Sequence, residues 1–166
     1  MTMTESETAV SYGRTSVETK PRAVVLRRVF HAPPALVFDA FTKPEMLKEW
    51  WGPEGYEMPV PDVDLRVGGA YRFELARPGG DRVVLAGEFR AIEPPRKLSY
   101  TWNWVEGGPF KGETLVTLEF KDHAEGTELV LTHEGFDDPS IRDQHDQGWS
   151  SSFNCLDRYL EKGETK

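Results

Sequence analysis

The chain has 166 residues, of which 38% are hydrophobic and 29% are charged, and its formal net charge is -8. This is the composition of an ordinary globular protein, and the negative charge disfavours binding to nucleic acid or to an anionic membrane, which requires a basic face. No apolar run approaches the roughly 18 residues that a membrane span needs. The sequence therefore predicts one globular domain with no nucleic-acid partner and no membrane span. The single cysteine predicts a reducing, cytoplasmic location.

The beginning of the chain differs from the rest because it is polar and contains few large apolar side chains. Such a segment buries too little apolar surface to offset the entropy lost on ordering. We therefore predict a disordered or loosely ordered tail over residues 1–21, followed by a single domain over residues 22–163.

The domain is predicted to begin with a strand and two short helices. Ala23–Phe30 is rich in β-branched residues and predicts the strand. Pro34 and Pro44 suit the first turns of helices over residues 35–41 and 45–50, because a first-turn residue needs no N–H donor.

The middle of the chain alternates between apolar and polar residues, which is the period of a half-buried strand. The alternation predicts strands near residues 63–65, 70–77, 82–92, 98–104, 116–120 and 127–133. Glycine and proline turns separate them at short intervals, as in an antiparallel meander. With the first strand, the sheet is predicted to have about six or seven strands.

The last long segment, residues 140–162, predicts a helix that the rest of the chain packs against. Its apolar residues recur at spacings of three and four and form one wide stripe: Ile141, His145, Trp149, Phe153, Leu156 and Leu160. A stripe of this length needs a large apolar partner, and the predicted sheet provides one. The order of elements predicts an α+β domain.

Several motifs occur in one order along this domain. They are Arg28-x-Phe30-x-Ala32-Pro33, Val37-Phe38-x-Ala40, Leu47-x-x-Trp50-Trp51-Gly52-Pro53, Gly68-Gly69-x-Tyr71-x-Phe73, Gly87-x-Phe89-x-x-Ile92-x-Pro94-Pro95-x-x-Leu98-x-Tyr100-x-Trp102, Thr127-x-Leu129-x-Leu131-x-His133-x-Gly135-Phe136 and Gly148-Trp149. Together they resemble the family named after the C-terminal domain of the activator of the heat-shock protein ninety ATPase, which belongs to the START-like (SRPBCC) helix-grip superfamily. The resemblance implies an antiparallel sheet wrapped around the long C-terminal helix, with an apolar pocket between them.

Inward-facing side chains of the strands and of the last helix are predicted to line this pocket. The predicted ligand-binding residues are Trp51, Tyr71, Phe73, Leu85, Phe89, Tyr100, Trp102, Trp104, Phe110, Val116, His133, His145, Trp149 and Phe153. The same aromatic residues would also suit a filled core, because aromatic side chains bury large areas and pack edge to face. The sequence leaves the two interpretations open.

The polar residues of the predicted pocket give no catalytic assignment. His133 and His145 have the chemistry of general acids or bases, but they would equally serve as hydrogen-bonded structural histidines. Neither lies in a recognised metal-ligand spacing, so no metal, no cofactor and no catalytic residue is predicted. The glycine-rich segment 107–112 is predicted to be a loop at the pocket mouth.

Three functions are consistent with these predictions. The first is binding of a small hydrophobic or aromatic molecule, such as a lipid or a polyketide, in the pocket. The second is an enzyme of the cyclase, dehydratase or hydrolase type that uses the same pocket. The third, implied by the resemblance alone, is a partner of a heat-shock chaperone ATPase. The sequence leaves the choice between a monomer and a homodimer open.

Overall fold

The computed structural model describes residues 8–12 and 15–162 of the chain. Nine strands form one antiparallel sheet: β1 (Thr8–Tyr12), β2 (Thr15–Lys20), β3 (Ala23–Phe30), β4 (Asp62–Val63), β5 (Ala70–Ala76), β6 (Arg82–Glu93), β7 (Lys97–Glu106), β8 (Glu113–His123) and β9 (Gly126–Glu134). The helices are α1 (Pro34–Thr42), α2 (Pro44–Trp50) and α3 (Pro139–Lys162). The spatial order of the strands is β1-β2-β3-β9-β8-β7-β6-β5-β4, so β3 pairs with β9 and the remaining neighbours are consecutive.

The predicted α+β helix-grip architecture is confirmed, with two short helices after β3 and a long C-terminal helix. The predicted strand count of six or seven is too low, because the described sheet has nine strands. The two additional strands, β1 and β2, lie where a loosely ordered tail was predicted.

The tail prediction is wrong over Thr15–Lys20, which pairs along β3 from Ser16↔Arg27 to Lys20↔Ala23. Alternate residues of β2 face inward, and Val17 is fully buried. The polar composition concealed a β-branched residue at every second position, which is the period of a strand. Thr8–Tyr12 is also a strand, whereas residues 1–7, 13 and 14 of the predicted tail lie outside the described residues.

Helix α3 lies against β2, β3 and α2, and polar contacts attach it to the sheet. The buried guanidinium of Arg28 on β3 lies 3.0 Å from an Asp157 oxygen and donates to Asn154 Oδ1 at 2.7 Å. At its N-terminal end, Arg142 donates to the Lys20 carbonyl at 2.6 Å. Contacts at both ends fix the position of the helix relative to the sheet. Within the described chain, no helix combines the length and the apolar character needed to cross a membrane.

Strand β6 is irregular at two places, where its pairing with β7 shifts between Val84 and Leu85 and between Phe89 and Ala91. Such bulges increase the local twist and bend the strand.

Candidate functional site

A cavity of about 360 Å³ lies between helix α3 and strands β5, β6 and β7. Its wall consists of Trp51, Pro53, Tyr56, Leu75, Asp81, Val83, Trp102, Trp104, Gly107, Gly108, Pro109, Gln144, His145, Gly148, Trp149 and Ser152. Small-molecule sites in proteins have volumes of about 300–1,000 Å³ and mostly apolar walls with a few polar groups. The cavity therefore has the size and the lining of a site for one small molecule.

One strand and one helix contribute most of the aromatic wall. Successive side chains of β7 point to opposite faces, so Trp102 and Trp104 share one face of the sheet. On α3, His145, Gly148 and Trp149 are separated by three and four residues and share one helix face. The two faces oppose each other, with the cavity between them.

The loop 107–109 closes one side of the cavity and packs closely on Trp104. A Cβ atom on Gly108 would lie 2.1 Å from Cγ of Trp104, a distance that real Cβ contacts do not reach. Only a glycine permits this approach. The loop therefore restrains the Trp104 ring. Of the segment 107–112, which was predicted as a loop at the pocket mouth, residues 107–109 line the cavity and residues 110–112 do not.

His145 is hydrogen-bonded through both ring nitrogens. Its Nε2 accepts from Trp104 Nε1 at 3.0 Å, and its Nδ1 lies 2.8 Å from the carbonyl oxygen of Ile141. A carbonyl oxygen can only accept, so Nδ1 carries the proton and Nε2 supplies a lone pair. This arrangement requires a neutral imidazole.

His133 forms a second such arrangement behind the wall, with its ring centroid 5.1 Å from that of His145. Its Nδ1 accepts from Trp149 Nε1 at 3.1 Å, and its Nε2 lies 2.8 Å from Thr114 Oγ1. Since Nδ1 supplies a lone pair, Nε2 carries the proton and donates to the threonine hydroxyl. Each indole N–H thus fixes the tautomer of one imidazole.

The surroundings of both histidines oppose protonation. Burial lowers the pKa of His133 well below its ordinary value of 6.5, and the neighbouring His145 lowers it further. Burial also lowers the pKa of His145, while its hydrogen bond to the Ile141 carbonyl acts in the opposite direction. Both imidazoles are therefore neutral at pH 7, as their hydrogen bonds require.

The hydrogen bonds also limit what these histidines can bind. Because every ring nitrogen already has a partner, neither histidine offers a free lone pair to a metal ion or to a substrate proton. Among the described residues, no group of three or more His, Cys, Asp and Glu side chains has the arrangement of metal ligands.

The residues predicted to bind a ligand fall into three groups in the structure. Those that line the cavity are Trp51, Trp102, Trp104, His145 and Trp149. Those that pack around a separate void of only about 10 Å³ are Tyr71, Phe73, Phe89 and Tyr100. Those that belong to or pack against the core without lining the cavity are Leu85, Phe110, Val116, His133 and Phe153.

Several lining residues were missed by the sequence analysis. Leu75 and Val83 continue the inward alternation of β5 and β6, so the same periodicity would have identified them. Tyr56 and Asp81 lie in loops, where no periodicity indicates the direction of a side chain. Gly148 was noted as part of a motif, but nothing in the sequence showed that the space next to it is open.

Comparisons with known proteins assign this chain to a family. The family model described as Activator of Hsp90 ATPase homolog 1-like protein matches residues 31–161. Among proteins of curated function, no sequence matches this chain.

Solved bacterial structures share the fold over most of the chain. A protein from Chromobacterium violaceum is 30% identical, with 85% of this chain and 98% of that chain covered and a TM-score of 0.78. The AHSA1 protein from Silicibacter pomeroyi is 28% identical, with 83% and 96% covered and a TM-score of 0.74. A protein from Rhodobacter sphaeroides is 29% identical, with 85% and 93% covered and a TM-score of 0.74. The chain therefore belongs to the family of Activator of Hsp90 ATPase homolog 1-like proteins.

Proposed function

We propose that this protein binds one small, largely apolar or aromatic molecule in the cavity between α3 and strands β5–β7. The observation that carries the proposal is Gly148, which lies within the 24-residue helix α3 and lines the cavity. A Cβ atom built on Gly148 would meet no atom within 4 Å. The first atom of a side chain at this position would therefore lie in open space and not against the cavity wall.

A glycine inside a helix lowers the stability of the helix, so its presence at position 148 needs an explanation. Glycine is about 1 kcal/mol less favourable than alanine in a helix interior, because its backbone loses more conformational entropy. Close packing would normally account for such a glycine, but the space next to Gly148 is open. The remaining explanation for a glycine at this position, and one that the surrounding wall supports, is that it leaves space for a ligand.

The chemistry of the wall favours binding over acid–base catalysis. Four of the five tryptophans of the chain line the cavity and provide flat apolar surfaces. The ring nitrogens of His145, the histidine in the wall, are both engaged by protein groups. The role as a chaperone partner, by contrast, depends only on the family resemblance.

The test is a titration of the tryptophan fluorescence with a panel of flavonoids, aromatic polyketides and fatty acids, together with native mass spectrometry of gently purified protein. Because most of the tryptophans lie in the wall, we expect a saturable change in emission for at least one compound class. In the Gly148→Leu variant the added side chain would occupy the cavity, and we expect this change to disappear while the protein stays folded.

Two matched variants separate filling of the cavity from other effects on the helix. Gly148→Ala adds a single methyl group at the same site and should retain binding. Gln147→Leu places the same leucine at the preceding residue of α3, which is exposed, and this variant should bind like the unaltered protein. Saturable binding that is equally strong in Gly148→Leu would place the ligand elsewhere, and failure of the whole panel to bind would argue for a protein partner.

A further inference from the structure

The residues that line the cavity divide into a mouth and a floor. Those at the mouth are exposed and include Asp81, Pro109 and Gln144. Those at the floor are buried and mostly apolar, and they include Trp51 and Leu75, which are 4% and 2% exposed. A molecule with one polar and one apolar end is therefore bound best with its apolar end at the floor, where that end leaves water.

Two buried polar residues of the lining, Ser152 and His145, are already hydrogen-bonded within the protein. The Ser152 hydroxyl donates to the carbonyl oxygen of Gly148 at 2.9 Å, and both ring nitrogens of His145 have partners. An apolar group of a ligand can therefore lie beside these side chains without leaving them unpaired.

The floor of the cavity ends at Trp51. Of the described residues, Trp51 alone lines both the cavity of about 360 Å³ and the neighbouring void of about 10 Å³. Its ring centroid is 6.1 Å from that of Trp149, which borders the cavity, and 4.8 Å from that of Phe73, which borders the void. The indole of Trp51 therefore stands between the two spaces and closes the cavity toward the void.

The surroundings of Trp51 hold its indole in this position. The residue follows directly after α2, and its backbone N–H donates to the Leu47 carbonyl at 2.9 Å. Its ring packs edge to face with both Phe73 and Trp149. A ligand could extend further only if the indole moved, and a void of about 10 Å³ is too small to receive an indole ring.

We infer that the ligand is an elongated molecule that binds with its apolar end against Trp51, and that Trp51 sets the maximum length of this apolar end. The inference rests on the proposed binding function and specifies the shape of the ligand and a residue that selects it. An apolar end longer than the cavity gains no further affinity, because its additional methylene groups stay in water at the mouth.

The test is a series of 4-alkylphenols from 4-ethylphenol to 4-nonylphenol, in which only the length of the apolar chain changes. Dissociation constants are measured by calorimetry, and each methylene group that becomes buried should strengthen binding by a factor of about four. In the unaltered protein this gain should stop at one chain length, the cutoff. In Trp51→Leu the smaller side chain leaves space at the floor, so the cutoff should move to a longer chain.

Two control variants separate the position of Trp51 from the loss of an aromatic ring. Trp104→Leu makes the same substitution at a half-buried residue of the same cavity, and it should weaken binding of the whole series without moving the cutoff. Phe73→Leu shortens a side chain that borders the void and not the cavity, and its cutoff should be that of the unaltered protein because Trp51 still closes the floor.

The outcomes distinguish the inference from the proposed function. An unchanged cutoff in Trp51→Leu, or an equal displacement of the cutoff in Trp104→Leu, would overturn the inference and leave the proposed function standing. An affinity that rises through the whole series in the unaltered protein would do the same. Failure of the series and of the wider panel to bind would overturn the proposed function itself.

A second measurement needs no substitution of Trp51. In the unaltered protein saturated with the 4-alkylphenol at the cutoff, nuclear Overhauser effects from the terminal methyl group of the chain should reach the indole protons of Trp51. The phenol ring protons should show no such contact. The reverse orientation, with the phenol ring against Trp51, would contradict the inference even if Trp51→Leu failed to fold.

Discussion

The aromatic interior of this protein has two regions built on the same strands, and they differ in how they are covered. In the packed region, Tyr71, Phe73, Phe89 and Tyr100 surround a void of about 10 Å³, which holds no more than about one water molecule. In the open region, Trp102, Trp104 and Trp149 face a cavity of about 360 Å³. Trp51 lines both spaces and separates them.

The covering elements explain the difference. Phe41 of α1 and Leu47 of α2 lie against the packed region and fill the space over the strands. The open region is covered by α3 at the position of Gly148, which has no side chain, and by the loop 107–109. A row of aromatic side chains therefore forms a core or a cavity wall according to the size of the residue that faces it.

The largest expected loss of stability is in the packed region. Phe89 is 3% exposed, and its ring centroid is 5.7 Å from that of Tyr71 and 6.1 Å from that of Tyr100. Truncation of a well-packed phenylalanine costs about 3–5 kcal/mol, so Phe89→Ala should lower the free energy of unfolding by this amount in urea denaturation followed by circular dichroism. The affinity for a cavity ligand should remain within about twofold, because Phe89 does not line the cavity.

The comparison variant in the open region is Trp104→Ala. Trp104 is only half-buried, so we expect a smaller loss of about 1–3 kcal/mol, but a clear loss of ligand affinity. If both variants weakened ligand binding equally, the packed region would have to open when the ligand binds, and the distinction between the two regions would fail.

An intermediate effect is expected at the loop over the open region. An alanine at position 108 must displace either Trp104 or the loop, because its Cβ would overlap the indole ring. Gly108→Ala should therefore destabilise the protein by about 1–3 kcal/mol and weaken the hydrogen bond between Trp104 and His145. Chemical denaturation and the indole N–H signal of Trp104 provide the measurements.

Gly148→Ala is the control for this substitution and should change the stability of the protein in the opposite direction. Its Cβ has open space, so the higher helix propensity of alanine should raise stability by about 0.5–1 kcal/mol. A Gly108→Ala variant as stable as the unaltered protein would show that the loop can move away from Trp104 at little cost.

Periodicity was sufficient to predict most of the elements in this fold. Ala23–Phe30 and the alternating strands were predicted because each places an apolar set on one face, and α3 was predicted from its apolar stripe. β2 was missed because Thr15, Val17 and Thr19 are small or polar, so their alternation was hidden by the average composition of the segment.

The cavity was predicted less accurately than the fold, and the reason is physical. Alternation specifies which face of a strand points inward, so Trp102 and Tyr100 looked equivalent in the sequence. Whether the facing layer fills the space depends on the register of distant elements, such as Leu47 opposite Tyr100 and Gly148 opposite Trp102. The hydrogen bonds between indoles and imidazoles were equally hidden, because they join residues from β7, β9 and α3.

The two regions should also differ in how their stability depends on pH. At the open end, burial lowers the pKa of His133 and His145 in the folded state. At the packed end, burial raises the pKa of Tyr71 and Tyr100. The histidines should therefore destabilise the fold in acid and the tyrosines should destabilise it in alkali, because in each case only the unfolded chain titrates near the ordinary pKa.

The loss of stability in acid is expected to be smaller than the loss in alkali, and it is the more informative of the two. Above pH 6.5 the histidines are neutral in both states, and below it the unfolded chain binds protons first, so stability falls by at most about 1.4 kcal/mol per pH unit for each histidine. Asp146 acts in the opposite direction, because burial and the nearby Asp143 raise its pKa to about 6, so the folded state gains a proton first as the pH falls below 6. The net slope below pH 6 should therefore correspond to about one proton, where the two histidines alone would give two.

Urea denaturation at intervals of half a pH unit measures this slope, and two variants separate its sources. His133→Gln should reduce the slope of the free energy of unfolding against pH, below pH 6.5, by the equivalent of one bound proton. Asp146→Asn should raise stability at pH 7 by about 1–2 kcal/mol and leave the histidine slope uncompensated below pH 6. A flat profile between pH 6.5 and 5 in Asp146→Asn would mean that both histidines take up protons in the folded state, which requires their indole hydrogen bonds to break and the open end of the molecule to rearrange.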